Sequence, residues 1–195
     1  MKKMKLILSI ITLGIVTLIS SQVNAQKGGG DGNTFEVGSL TANIGAGLGR
    51  NSFGSLGYYG TSIGYGTGIG VKVAVERGMW QLGPGVLSLG LEAGGSFSSS
   101  GGYKSNIIIT AVRAAYHFGW SVDNLDTYAG PSVGPGFRSY DYYYNTTTTH
   151  TQHDLVFAPG FFVGGTYWFS PNIGVNVEAG YDITEIQGGI IFKLQ

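Results

Sequence analysis

The chain has 195 residues, with 11 basic and 11 acidic side chains, 35 glycines and no cysteine. Charged residues make up 11%, against about 25% in ordinary soluble domains, yet hydrophobics at 43% exclude a charge-rich disordered chain. The missing cysteines exclude a disulfide scaffold, a Cys-ligated zinc site, a thiol nucleophile and a Cys-linked lipid anchor, and glycine lacks the every-third-residue period of collagen.

Met1 to Ala25 reads as a secretory signal. Lys2, Lys3 and Lys5 form a positive start, and Leu6 to Ile19 is an apolar run of 14 residues, shorter than the ~20 that span a bilayer as a helix. Val23 and Ala25 fit a small-residue cleavage pattern, which places the cut before Gln26. Removing the three lysines leaves eight basic against 11 acidic groups, a net charge of about −3. With no basic patch, nucleic acid is not an expected partner. Residues 26–34 read as a flexible leader rich in glycine, and 35–195 as a single β domain.

From Phe35 onward period 2 dominates, which means strands. In the first, Leu40, Ala42, Ile44, Ala46 and Leu48 oppose Ser39, Thr41, Asn43, Gly45 and Gly47. In the second, Ser62 to Glu76, Ile63, Tyr65, Thr67, Ile69, Val71, Val73 and Val75 oppose four glycines, Lys72, Ala74 and Glu76. The third sets Leu87, Leu89, Leu91 and Ala93 against Ser88, Gly90, Glu92 and Gly94. The fourth sets Val112, Ala114, Tyr116 and Phe118 against Arg113, Ala115 and His117. Strands five (about Thr127 to Arg138) and six (about Asp154 to Phe169) are less regular. The seventh sets Val175, Val177, Ala179 and Tyr181 against Asn176, Glu178, Gly180 and Asp182, and the eighth sets Ile190, Phe192 and Leu194 against Gly189, Ile191 and Lys193. Compact connections (77–84, 119–126, 170–172) alternate with Gly-, Ser-, Tyr- and Thr-rich ones (50–60, 98–104, 139–153), and the last, near Thr184, is short. This is the outline of an all-β, eight-stranded, antiparallel up-and-down transmembrane β-barrel behind a signal peptide.

Period 2 alone does not say which face is inside. The polar face is built from Gly, Ala, Ser and Asn with one or two charges per strand, which suits a narrow lumen filled by side chains better than a solvated surface. Lys72, Glu92, Arg113 and Glu178 fall near mid-height, two of each sign, so pairing is expected in a dry interior. Glu76, His117 and Asp182 share that face and complete an expected lumen network. Trp80, Trp120 and Trp168 each sit beside a compact turn, joined by Tyr116, Phe118, Tyr167 and Phe169, as an aromatic girdle at one membrane interface predicts. The apolar face is therefore expected to point into lipid. A closed barrel is the one β form that lipid tolerates, because every backbone N–H is paired.

The stretch Gly160-Phe161-Phe162-Val163-Gly164-Gly165-Thr166-Tyr167-Trp168-Phe169-Ser170-Pro171-Asn172-Ile173-Gly174-Val175-Asn176-Val177-Glu178-Ala179-Gly180-Tyr181 resembles the strand-turn-strand of the small OmpA/OmpX-like outer-membrane β-barrels. Arg113-Ala114-Ala115-Tyr116-His117-Phe118 and Tyr128-Ala129-Gly130 are also similar to segments of that family. The resemblance implies the outer membrane of a Gram-negative bacterium, outer-membrane lipid and lipopolysaccharide as surroundings, the barrel assembly machinery as folding partner, and no cofactor. Such barrels usually end in an aromatic residue, whereas this chain ends Phe192-Lys193-Leu194-Gln195, with Leu194 standing in one place early. With strand eight closing the chain, no peptidoglycan-binding domain is expected.

Other motifs carry little chemistry. Gly45-Ala46-Gly47-Leu48-Gly49 and Gly64-Tyr65-Gly66-Thr67-Gly68 do not fit the dinucleotide pattern and precede no helix. His150, His153 and Asp154 have a loose metal-like spacing in the long loop, but read as solvated loop residues. Tyr140, Tyr142, Tyr143 and Tyr144 read as an outer aromatic girdle, with a sugar or protein contact as the alternative. A proton or ion path along the charges, and a carboxylate pair of Glu92 and Glu178, are both disfavoured by a plugged lumen. Pro131 and Pro135 in strand five and Pro159 in strand six are unusual, because a proline cannot donate to a ladder. They read as two bulges, or as a weakened seam between strands five and six near Pro135 and Pro159. The seam would admit a lipid tail to a lipid-modifying enzyme in which Ser139, His150, His153 and Asp154 act. The main expectation is a non-enzymatic barrel with no metal, whose lumen is filled and whose loop 139–153 meets an extracellular partner. The alternatives are that enzyme and a soluble exported barrel holding an apolar ligand.

Overall fold

A computed structural model describes residues 34–50, 68–100, 103–120, 122–145 and 148–194. The signal segment, leader residues 26–33, residues 51–67 with the first part of the expected second strand, and Gln195 lie outside the described residues, as do the side chains of Tyr142, Tyr143 and Tyr144.

Eight strands follow in order: Leu40–Gly49 (β1), Ile69–Leu82 (β2), Gly85–Ser100 (β3), Tyr103–Gly119 (β4), Leu125–Asn145 (β5), Thr148–Trp168 (β6), Ile173–Tyr181 (β7) and Thr184–Lys193 (β8). Each pairs antiparallel with the next, and β1 pairs with β8 to close the ring. The strands are strongly tilted. A single row of partners runs from Ile186 in the upper part of β8 through Ala179, Val163, Ala129, Tyr116 and Leu87 to Trp80, near the lower end of β2. Such a tilt is what closing an eight-stranded sheet requires. Here the lower end carries the compact turns and both described termini, and the upper end carries the other hairpins.

Burial is inverted relative to a water-soluble barrel. Lys72 and Arg113 are each 1% exposed, while Val177 is 62% and Phe157 75% exposed. Apolar side chains at alternate positions face outward along every strand, so the outer wall presents the apolar band that a bilayer core needs. The fold is thus the expected all-β barrel with the apolar face turned out.

Several boundaries differ from expectation. β2 does not end at Glu76 but continues to Leu82 past a register shift between Gly78 and Trp80. The chain then turns at Gly83, whose φ of 59° suits glycine. β3 runs to Ser100 and β4 starts at Tyr103, so most of the expected loop 98–104 is strand. The largest correction concerns 139–153. It is no loop but the upper part of a hairpin, with β5 and β6 of 21 residues each. Tyr and Thr are strand formers, and above the apolar band no face has to be apolar, so the alternation that marks the other strands is missing there.

The prolines make neither the seam nor the bulges expected of them. Pairing of β5 with β6 runs unbroken through Val133↔Pro159 and Pro135↔Phe157. The lapses are on the other side of β5, toward β4. One falls between Ile109↔Gly136 and Val112↔Val133, the other between Arg113↔Ser132 and Tyr116↔Ala129. They coincide with Gly134-Pro135 and Gly130-Pro131, where proline offers no N–H, and the register is the same on either side. At both places the preceding glycine leaves room for a partner carbonyl: a Cβ on Gly130 would overlap the Ala114 oxygen, and one on Gly134 the Thr110 oxygen. Pro159 lies beyond the last β6–β7 pair, Phe161↔Tyr181, and its carbonyl accepts a 3.3 Å hydrogen bond from Arg50 Nη2.

Candidate functional site

The inward positions of β2, β3, β4, β5, β7 and the β7–β8 turn bring the polar residues together at mid-barrel. Arg113 on β4 is the hub. Its Nη1 donates to Glu92 Oε2 at 3.0 Å and its Nη2 to Glu178 Oε2 at 2.9 Å. Its Nε lies 2.7 Å from Glu76 Oε1, a charge contact without hydrogen-bond geometry. Lys72 bridges Glu178 and Asp182, the latter at 2.7 Å, with Glu92 3.7 Å away. The guanidinium also stacks over the Phe162 ring, 3.8 Å from its centre. Tyr128 donates to Glu178 Oε2 at 3.1 Å, and Ser88 to Glu76 Oε2 at 2.8 Å.

His117 extends this network downward. Its Nδ1 lies 2.8 Å from Asp126 Oδ2 and its Nε2 3.1 Å from Glu76 Oε2. A neutral imidazole donates through one nitrogen only, so two carboxylates on opposite nitrogens match an imidazolium. Charges of this kind are stable out of water only when paired and hydrogen-bonded.

Below His117 the ring of Phe35 is stacked on the imidazole, with 3.7 Å between centroids and 8° between planes, and it is 1% exposed. Residues 34–39 are stitched to the barrel floor. Gly38 N donates to Gly78 O and Gly78 N to Ser39 O, each at 2.9 Å, and Lys193 Nζ donates to Thr34 O at 2.6 Å. Gly78 is needed here, because a Cβ would strike the Glu36 carbonyl. Above the charges, Ile107, Ile109, Ala111, Ala158 and Ile183 form a buried apolar cluster. Phe35→Ala is expected to cost about 3 kcal/mol, the low end for emptying a buried aromatic site. The check is the urea midpoint of the refolded barrel, read against Phe35→Leu, which should lose much less.

All seven residues of the expected lumen network (Lys72, Glu76, Glu92, Arg113, His117, Glu178 and Asp182) are inside and in contact through these ion pairs. The four mid-height charges pair as expected, Lys72 and Arg113 each meeting Glu92 and Glu178, while in the wider network Glu76, Glu92, Asp126, Glu178 and Asp182 outnumber Lys72, Arg113 and His117. Asp126 escaped notice because strand five was expected to begin at Thr127, and Tyr128 because that strand lacks the regular alternation that marks an inward face. Phe162 gave no signal of its own, since an aromatic on either face of a strand reads alike, and Phe35 gave none because it precedes the first strand.

Of the expected girdle, Trp80, Trp120, Tyr167 and Phe169 are about half exposed on the outer wall at the lower end. Tyr116 and Phe118 stand there too. Tyr116 OH donates to Leu82 O at 2.9 Å, and Phe118 meets Trp120 edge-on at 5.0 Å. Trp168 does not belong to it. It is 4% exposed and turned inward, with Lys193 Nζ 5.0 Å from its ring. Tyr167 and Trp168 are neighbours on one strand, so only one of them can face lipid.

Of the residues considered for metal or catalysis, Ser139 and His153 are register partners on the outward face, but the full set does not come together. His150 and His153 are three apart on β6 and stand on opposite faces, and Asp154 opposes His153. Among the described residues no cluster of three His, Cys, Asp or Glu side chains has the arrangement of a metal site.

No family model matches the sequence, and no curated protein matches it. Among solved structures, Neisserial surface protein A is similar at a TM-score of 0.53 and 11% identity, covering 80% of this chain and 96% of that one. A de novo designed transmembrane β-barrel (TM-score 0.47, 18% identity, 82% and 98% covered) and the N-terminal β-barrel domain of Pseudomonas aeruginosa OprF (0.45, 15%, 81% and 98%) are also similar. With its closed ring of eight antiparallel strands, apolar outside and charged within, the chain has the fold of the small outer-membrane β-barrels.

Proposed function

We propose that this is a non-enzymatic protein of the bacterial outer membrane, exported by Met1 to Ala25 and cut before Gln26, inserted by the barrel assembly machinery, and serving envelope structure and surface contact. The lower end is then periplasmic and the upper end extracellular. The observation that carries the reading is the uneven height of the ring. β5 and β6 have 21 residues each, whereas β7 has 9 and β8 has 10. Among the described residues, no strand pairs with β6 from Thr148 to Gly160 on the side away from β5. A sheet standing above the membrane with an open edge is a surface on which another molecule can dock. The Phe35 stack, the ion-pair layer and the apolar cluster above it support a filled lumen that is no general pore. The unbroken β5–β6 pairing and the separated histidines speak against the lipid-modifying reading, and the outward apolar face against the soluble one.

The test uses cells expressing the full chain. A peptide tag placed between Asn145 and Thr148 should be reached by antibody on intact cells, and shortening the 139–153 hairpin to a tight turn should abolish adhesion to host-cell monolayers while leaving the barrel folded. Lipid A mass spectra should be the same with and without the protein. A shielded tag, unchanged adhesion or a new lipid A species would contradict the proposal.

A further inference from the structure

The outer wall of β4, β5 and β6 carries two rows of side chains directly above one another. In the lower row Ile108 is the register partner of Phe137, and Phe137 of Leu155. All three point outward and are 52%, 44% and 70% exposed. Two residues higher, Asn106 is the partner of Ser139, and Ser139 of His153. Alternation puts these side chains on the same outward face. Among the described residues, no side-chain hydrogen bond engages any of the three. Together the rows line a groove of about 380 Å³ bounded by Arg138 and Asp154, within the ~300–1,000 Å³ common for small-molecule sites.

An apolar row below and an unpartnered polar row above mark the upper edge of the lipid-facing band. A molecule filling the groove must therefore be apolar at one end and hydrogen-bonding at the other. The polar row crosses three strands, about 10 Å, which is the length of one or two sugar rings. Its groups are an amide, a hydroxyl and an imidazole, which both donate and accept, as sugar hydroxyls do. We infer that this groove is a site for the saccharide headgroup of an outer-leaflet glycolipid, bound by its hydroxyls at Asn106, Ser139 and His153 and by its acyl chain over Ile108, Phe137 and Leu155. The inference rests on the membrane reading above and gives the surrounding lipid a fixed point of attachment.

The experiment follows the His153 imidazole by NMR in the full mature barrel, folded in phospholipid bicelles and titrated with lipid A, with a galactosyl diacylglycerol or with phosphatidylglycerol. Both glycolipids should give saturable shifts and phosphatidylglycerol none. The variant Asn106→Leu/Ser139→Leu should stay folded by heat-shifted gel mobility and bind at least tenfold more weakly, as the loss of one or two net hydrogen bonds implies. Equal shifts with phosphatidylglycerol, shifts without saturation, or unchanged affinity in the variant would overturn the site. A barrel that does not enter bicelles would instead overturn the membrane reading.

Discussion

Arg113→Met should be the most damaging single change in the barrel. The guanidinium is the shared partner of Glu76, Glu92 and Glu178, and removing it leaves three carboxylates facing one another in an interior from which water is largely excluded. Breaking a buried pair by deleting one partner costs about 3–5 kcal/mol. Spread over a urea slope of ~2 kcal/mol/M, that lowers the unfolding midpoint by roughly 2 M. Arg113→Lys keeps the charge but not the fork that reaches three partners, so it should recover only part of the loss. Adding Glu76→Gln and Glu178→Gln to Arg113→Met should restore stability, because the damage lies in the uncompensated charge and not in lost packing. A triple variant weaker than the single one would show that the network is not acting as described.

Gly130→Val and Gly134→Val should follow closely. At each position a Cβ meets a backbone carbonyl of β4, that of Ala114 or of Thr110, and a carbonyl cannot swing aside as a side-chain tip does. Each change should cost about 1–3 kcal/mol as overpacking, and the double variant should fail to refold. The control is Gly188→Val. Gly188 also lies in a strand, but nothing stands within 4 Å of its added Cβ. It faces outward on β8, and valine is the better strand former, so its midpoint should stay within about ±0.5 kcal/mol of the parent. Urea titration of the refolded barrels, monitored by heat-shifted gel mobility, separates the three.

The same local spacing explains why part of the molecule was legible in the sequence and part was not. The ring and its orientation were legible because alternation is clear in strands one to four, seven and eight, and because the opposite face offered glycine and a few charges too sparse for a solvated surface. The height of β5 and β6 was not, because residues 139–153 stand above the band and owe no face to lipid. Trp168 was misplaced because tryptophan and tyrosine both suit an interfacial girdle, and only the register, Trp168 with Gly174 and Tyr167 with Val175, separates the two. The prolines were assigned to the wrong side of β5 because a missing N–H is felt by one neighbour only, and chain order does not say which.

The central claim is that the apolar face points outward into acyl chains while the charged face is enclosed. Nitroxide labels at Val177→Cys and Asn176→Cys, neighbours on β7 facing opposite ways, test it in lipid bilayers through collision with dissolved oxygen, which concentrates in the bilayer core. The account predicts a label at 177 strongly accessible to oxygen and poorly accessible to a water-soluble nickel chelate, with the label at 176 shielded from both. A label at 177 shielded from oxygen, or one at 176 exposed to it, would contradict the account.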